Sequence, residues 1–307
     1  MAAVQCHYPS VGATFHAVDS ELSAPNMNHT AQPPTPPERR PQQRAPALRV
    51  LQFTDTHLYA SPDETLLGIN TQQSLDQCLR LAQQRHAPAD LILATGDLVH
   101  DGSTAGYRRL RRLLLDTNTD VGALPGNHDD PRNLQSTLCG GPITGARSLH
   151  RAGWHIILLD STVAGSDSGR LSASELAGLS RHLQQRPDNH TLVCLHHAPV
   201  AVDSRWIDDL RLENPDEFFA VLDRHPQVRA VVWGHIHQDF SSQRNGVRLL
   251  GTPSTCVQFK PNSDRFALDL QPPGYRWLML HADGSIETGI ARLSQMPPGA
   301  DLQRTGY

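Results

Sequence analysis

Five apolar runs in this sequence each end directly in side chains that bind metal ions. LQFT leads into Asp55-Thr-His57, LILATG into Asp97, VGALPG into Asn127-His128-Asp129, TLVCL into His196-His197, and VVWG into His235-Ile-His237. Carboxylate, imidazole and amide oxygen without thiolate suit borderline-hard divalent ions such as Mn, Fe, Zn or Co. The candidates Asp55, His57, Asp97, Asn127, His196, His235 and His237 are too many for one ion. Two ions roughly 3.5–4 Å apart, sharing one carboxylate and one bridging hydroxide, form the arrangement used for in-line displacement at phosphorus. His128 is then left over as a proton donor, a general acid that Asp97 or Asp129 could orient.

Taken alone, Asp-Thr-His after a strand reads as an ordinary turn or helix cap, and Gly-Asp as a common turn. A histidine in the middle of Gly-Asn-His-Asp-Asp has no obvious structural purpose. Two histidines at i and i+2 after a buried run point to the same side. Of His196 and His197, one reads as a packing or hydrogen-bonding residue. Recurrence of the same event at five strand ends is what points to chemistry.

Residues so far apart meet only if strands carry them to one edge. Short apolar runs at 48–53, 90–95, 119–124, 154–159, 191–195 and 228–233 read as buried strands. Between them, 71–86 places Leu75, Cys78, Leu79 and Ala82 at helical spacing, and 103–116, 172–186 and 215–225 repeat the pattern behind Ser, Thr or Asn-Pro starts. In open α/β sheets the loops at the carboxyl ends of strands converge on one crevice. Gly96, Gly126 and Gly234 each precede a candidate ligand, where a sharp turn calls for a permissive backbone. Beyond Gly246 the chain turns strand-rich (VRLLGTPS, YRWLMLHAD, SIETGIARL), which a second, partly antiparallel sheet would accommodate.

A chain of 307 residues carries ample material for one large α/β domain. Residues 1–46, with QPPTPPERRPQQRAPA, lack periodicity and read as a disordered Pro/Gln-rich tail; 47–293 form the catalytic domain, and 294–307 a loose C-terminal tail. A net charge of −4 leaves no basic surplus for a phosphate backbone, so no nucleic-acid partner is expected. The one dense basic tract, Tyr107 to Arg112, falls on an amphipathic helix. No run approaches the roughly 18 apolar residues of a membrane span. Five scattered cysteines without CxxC argue against a disulfide framework and for a reducing, cytoplasmic setting.

In this order, D-x-H, G-D, G-N-H-D, H and G-H-x-H resemble the signature of the calcineurin-like metallophosphoesterase superfamily. More narrowly, GDLVHDGS, LPGNHDDP, WIDDLRLENPDEF, VVWGHIHQ and LLGTPSTCVQFKPNSDRFALD resemble the bacterial class III 3′,5′-cyclic AMP phosphodiesterases, over about Leu48 to Leu293. The resemblance implies an α/β fold, a four-layer αββα sandwich of two mixed β-sheets. It also implies that Asp55, His57 and His237 hold one ion, that Asn127, His196 and His235 complete a second, and that Asp97 bridges both. The ions implied are Fe or Mn, with Zn, Co or Mg also accepted. Implied too are a cyclic nucleotide bound by His57, Asn127 and His128, catalysis by His128 and Asp97, and 5′-AMP as product. His100 stands where purple acid phosphatases of the superfamily carry a metal-binding Tyr, which argues against that subclass. Trp206 and Phe259 are candidates to stack on adenine, against the more ordinary reading of each as a core aromatic.

Overall fold

The computed structural model of the protein describes residues 47–301, 303, 304 and 306. The Pro/Gln-rich tail expected at 1–46 lies outside the described residues. The chain runs through β1 (Leu48–Phe53), a hairpin of β2 (Thr65–Leu66) and β3 (Ile69–Asn70), α1 (Thr71–His86), β4 (Leu91–Thr95), α2 (Thr104–Leu115), β5 (Val121–Leu124), α3 (Pro131–Asn133), β6 (Ile143–Thr144), β7 (Ser148–Arg151) and β8 (Trp154–Leu158). It continues with α4 (Ala173–Gln185), β9 (His190–Cys194), α5 (Arg205–Asp208), α6 (Pro215–Leu222), β10 (Val228–Trp233), β11 (Phe240–Arg244), β12 (Val247–Gly251), β13 (Gly274–Leu280) and β14 (Ile286–Arg292).

The helices start where the sequence offers a cap. Side chains of Asn70, Ser103 and Ser172 accept from the amides of Gln73, Gly106 and Glu175, at the first turns of α1, α2 and α4. The strands are apolar on both faces because both are covered. In β4, Leu91 and Leu93 face the other sheet while Ile92 and Ala94 meet the α1 and α2 side; in β10, Ala230 and Val232 face inward while Val231 and Trp233 meet the α4 and α6 side.

Two sheets result, ordered β14-β13-β1-β4-β5-β6 and β11-β12-β10-β9-β8-β7. Each has a parallel centre and antiparallel additions. Helices cover the outer faces, giving four αββα layers. The strands after Gly246, expected in a second, partly antiparallel sheet, divide between the two sheets. Strand β12 joins β10 in parallel and carries β11, whereas β13 crosses to pair with β1 and carries β14. Each central sheet had an unpaired edge, and the late strands satisfy one each. Gln52, fully buried between the layers, donates to Thr95 Oγ1 and the Trp233 carbonyl and accepts from Thr252 Oγ1, tying the two sheets directly beneath the turns that follow β1, β4 and β10.

In the C-terminal segment, Met296 and Ala300 pack on the core outside the second sheet, and the Asp301 amide donates to the Leu67 carbonyl. No helix among the described residues is long and apolar enough to cross a membrane.

Candidate metal centre

The turns after β1 and β4 are zipped together by backbone bonds: the Asp55 amide donates to the Gly96 carbonyl, His57 to Asp97, and Leu58 to Leu98. The turn after β10 joins them through the His235 amide, which donates to both Asp55 carboxylate oxygens at 3.0 and 3.1 Å. Asp55, His57, Asp97, His235 and His237 all take positive φ, between 46° and 65°. Left-handed backbone costs a non-glycine residue energy, though least for Asp, Asn and His, and it persists here because surrounding bonds fix each turn. The glycines differ from expectation. Only Gly96 has positive φ (92°). Gly126 and Gly234 are needed for space instead: a Cβ on Gly234 would stand 2.7 Å from Asp55 Oδ2 and closer to Thr54 Oγ1, and one on Gly126 would collide with Asp97.

Six of the seven expected ligands, Asp55, His57, Asp97, His196, His235 and His237, come together buried, while Asn127 is half-buried and lines the cavity beside His235. Asp55 Oδ1 lies 3.3 Å from His237 Nε2, and His57 Nε2 lies 3.3 Å from the same nitrogen. Asp97 Oδ2 stands between two groups, 3.3 Å from His196 Nε2 and 3.8 Å from His57 Nε2. Donor atoms of Asp55, His57 and His237, of Asp55, Asp97 and His196, and of His196, His197 and His235 form clusters tight enough for a metal ion. The two histidines of Gly-His-Ile-His therefore do not serve one group; His237 joins Asp55 and His57, and His235 joins His196.

Hydrogen bonds aim the lone pairs. A peptide carbonyl only accepts, so Nδ1 of His237 donates to Val257 and Nδ1 of His196 donates to Thr95, leaving Nε2 of each bare toward the cluster. Burial holds the His57 pKa well below the usual imidazole value, and burial together with His196 drives His235 down to about 3. Both rings are thus neutral. Burial also opposes charge on His196, but the Asp97 and Asp55 carboxylates outweigh it and push its pKa up to about 9; Asp97 in turn is held well below the carboxylate range.

The donor set fits a metal centre on a further count. Asn127 Oδ1, His196 Nε2, His197 Nε2 and both ring nitrogens of His235 are buried without a hydrogen-bond partner. Buried polar atoms in that state are costly, and a bound cation would satisfy the lone pairs among them.

His128 sits half-buried at the rim, its backbone amide donating to Asp97 Oδ1 at 3.0 Å and its ring stacked on His100 with centroids 4.3 Å apart. Asp129 acts on loops. Its carboxylate accepts from the amides of Leu98, Val99 and Gly126 and from the Tyr107 hydroxyl, clipping the turn after Asp97 to the turn before Asn127. Beside His128, Asn127 and His235, a cavity of about 250 Å³ is walled by Trp206, Ile207, Leu210 and Phe266. Phe259 does not reach it; it is fully buried and stacked on His237 at 4.1 Å. Sequence reasoning missed the position of His197, which bonds Ser161 Oγ through Nδ1 and clusters with His196 and His235. It also missed the contacts of His100. The His-His pair and a histidine three residues after Asp97 were the available signals.

With the geometry in place, comparison with known proteins is decisive. The model of the family described as calcineurin-like phosphoesterase matches residues 48–239.

The chain belongs to the calcineurin-like phosphoesterase family.

Its matched stretch contains every donor described above, and the His/Asp cluster fits the dinuclear centre of calcineurin-like phosphoesterases. The chain is 42% identical to the 3′,5′-cyclic adenosine monophosphate phosphodiesterase CpdA of Vibrio vulnificus over 262 residues, 85% of this chain and 96% of that one. It is 42% identical to the CpdA of Escherichia coli K12, over 85% and 95% of the two chains, and 41% identical to the 3′,5′-cyclic-nucleotide phosphodiesterase alr5338 of Nostoc, over 82% and 94%. Among solved structures, a dimetal phosphatase from Danio rerio shares the fold at a TM-score of 0.58 and 16% identity, covering 81% of this chain and all of that one.

Proposed function

We propose that the protein hydrolyses 3′,5′-cyclic AMP to 5′-AMP at a two-metal centre. One observation carries the reading: buried donors gather in adjoining sets, with Asp97 Oδ2 within 3.3 Å of His196 and 3.8 Å of His57, beside a cavity that has Asn127, His128 and His235 on one wall and apolar side chains on the other. The polar wall suits a cyclic phosphodiester and the apolar wall a base. Names carried by relatives about 40% identical over nearly their whole lengths support the same substrate.

Asp55, His57 and His237 would hold one ion, Asn127, His196 and His235 the other, with Asp97 touching both. The family resemblance points to Fe or Mn, which this carboxylate, imidazole and amide set accepts, with Zn, Co and Mg as substitutes. When bound, such ions supply Lewis acidity at the phosphoryl oxygens and make water nucleophilic at neutral pH. The chain's own residues do the rest. Asn127, His128 and His57 line the phosphate position and fix phosphorus for in-line attack. As a water oxygen bonds to phosphorus, the P–O3′ bond breaks, and His128 delivers a proton to the departing ribose 3′ oxygen, a poor leaving group as an alkoxide. Trp206 and Phe266 face the base. The four described cysteines are free, which suits the reducing cytoplasm where cyclic AMP acts.

The test is hydrolysis of cyclic AMP with added Mn or Fe, alongside cyclic GMP, a 2′,3′-cyclic nucleotide and bis(p-nitrophenyl) phosphate. Metal-dependent release of 5′-AMP is the expected result. Turnover of the synthetic diester alone would keep the centre and discard the substrate.

A further inference from the structure

His100 belongs to neither expected ligand set, yet it contacts a member of the centre and the proton donor together. Its Nδ1 lies 3.0 Å from His57 Nδ1, and its ring stacks on His128 with an interplanar angle of 20°. Donor atoms of His57, His100 and His128 form a cluster of their own. The backbone holds His100 in place: its amide donates to the Leu58 carbonyl at 2.8 Å, and Tyr59 flanks the ring on the same strand-end turn, 4.8 Å away.

We propose that His100 is the positioning residue of this site, aiming His57 through a hydrogen bond and His128 through ring stacking. His237 and His196 are aimed by peptide carbonyls, which no side-chain substitution removes. His57 is aimed by a side chain instead. For His57 to present a bare Nε2 to an ion beside Asp97 and His237, its proton must sit on Nδ1, so His57 donates and His100 Nδ1 accepts. His100 then carries its own proton on Nε2. The same flat ring limits the rotation of His128, so the acid and the ligand are held in register by one residue.

This inference rests on the proposed two-metal reading, and its two halves separate by substitution. His100→Phe keeps a ring against His128 and removes the acceptor; His100→Asn keeps an acceptor near the place of Nδ1 and removes the ring. Mn2+ is titrated into the metal-free proteins by calorimetry without substrate, thermal melting checks the folded state, and kcat and KM are read on cyclic AMP and bis(p-nitrophenyl) phosphate. His100→Phe should weaken one Mn2+ by roughly 10–100-fold with unchanged melting. His100→Asn should bind Mn2+ nearly as the parent does and lose kcat, with KM unchanged. If His100→Phe melts below the assay temperature, His100→Leu replaces it in the titration. Parental Mn2+ affinity in the acceptor-free variant, or parental kcat in His100→Asn, would overturn the proposal. A parent protein that binds Mn2+ but ignores cyclic AMP discards the substrate reading alone, because the titration contains none.

Discussion

Replacing Gly126 by alanine adds one methyl group at the point where two donor turns touch. A Cβ there would stand 2.8 Å from His196 Cε1 and nearer still to Asp97 Oδ1 and the Asp97 backbone nitrogen. Ordinary carbon contacts lie at about 3.5 Å, so His196 must retreat by about 0.7 Å and Asp97 by more than that. Asp97 cannot yield by rotating alone, because its backbone is in the way as well. The φ of Gly126 is negative, so alanine meets no left-handed penalty; without the collision, Gly→Ala would raise stability by about 0.4–1 kcal/mol. With it, overpacking costs roughly 1–3 kcal/mol. For a domain of this size that lowers Tm by roughly 2–4 °C per kcal/mol. An Asp97 displaced by about 1 Å should also cost on the order of a hundredfold in turnover. Differential scanning calorimetry of the metal-free protein, Mn2+ titration and kcat on bis(p-nitrophenyl) phosphate read the three effects. A Gly126→Ala protein with equal or higher Tm and parental kcat would refute the steric reasoning.

His128→Ala should keep both ions, by elemental analysis, and lose roughly a hundredfold or more in kcat, the scale of a lost general acid; loss of the metals would contradict the division of roles. Asp97→Ala should abolish turnover, and near-native activity with both ions bound would sink its shared position. Trp206→Ala should raise KM for cyclic AMP and spare bis(p-nitrophenyl) phosphate, whereas Phe259→Ala should act on stability, by roughly 3–5 kcal/mol in a urea titration; an unchanged KM in the first removes Trp206 from the base wall. Tyr107→Phe takes a 2.7 Å donor from the buried Asp129 carboxylate and should cost about 2 kcal/mol, or a Tm lower by about 4–8 °C; a melting point within a degree of the parent would show that Asp129 does not need it.

The element types were legible because burial imposes a period that local sequence must obey. Helix α1 spans Thr71–His86 as its apolar spacing demands, and β1 and β10 occupy the runs read as strands. The candidate donors stood out too, since metal chemistry restricts residue type and all seven candidates stand just past strand ends. Partner choice was not. Asp55 meets His235 across 180 residues, and His57 meets His100 across 43. No periodicity encodes either distance. The strands after Gly246 showed their own pattern but not which open edge would take them. The glycines showed a need for smallness but not its cause, which for Gly126 and Gly234 is the neighbouring turn and not their own φ. Phe259 and Trp206 were equal candidates for the base until packing put one beneath His237 and the other in the cavity wall. The sequence by itself therefore determined which chemistry this chain carries and on which elements, because residue type and local burial are properties of a segment. Only the tertiary structure decided which donors gather around Asp55 and Asp97 and which histidines touch one another, because those follow from contacts between segments that meet only once the two sheets have packed.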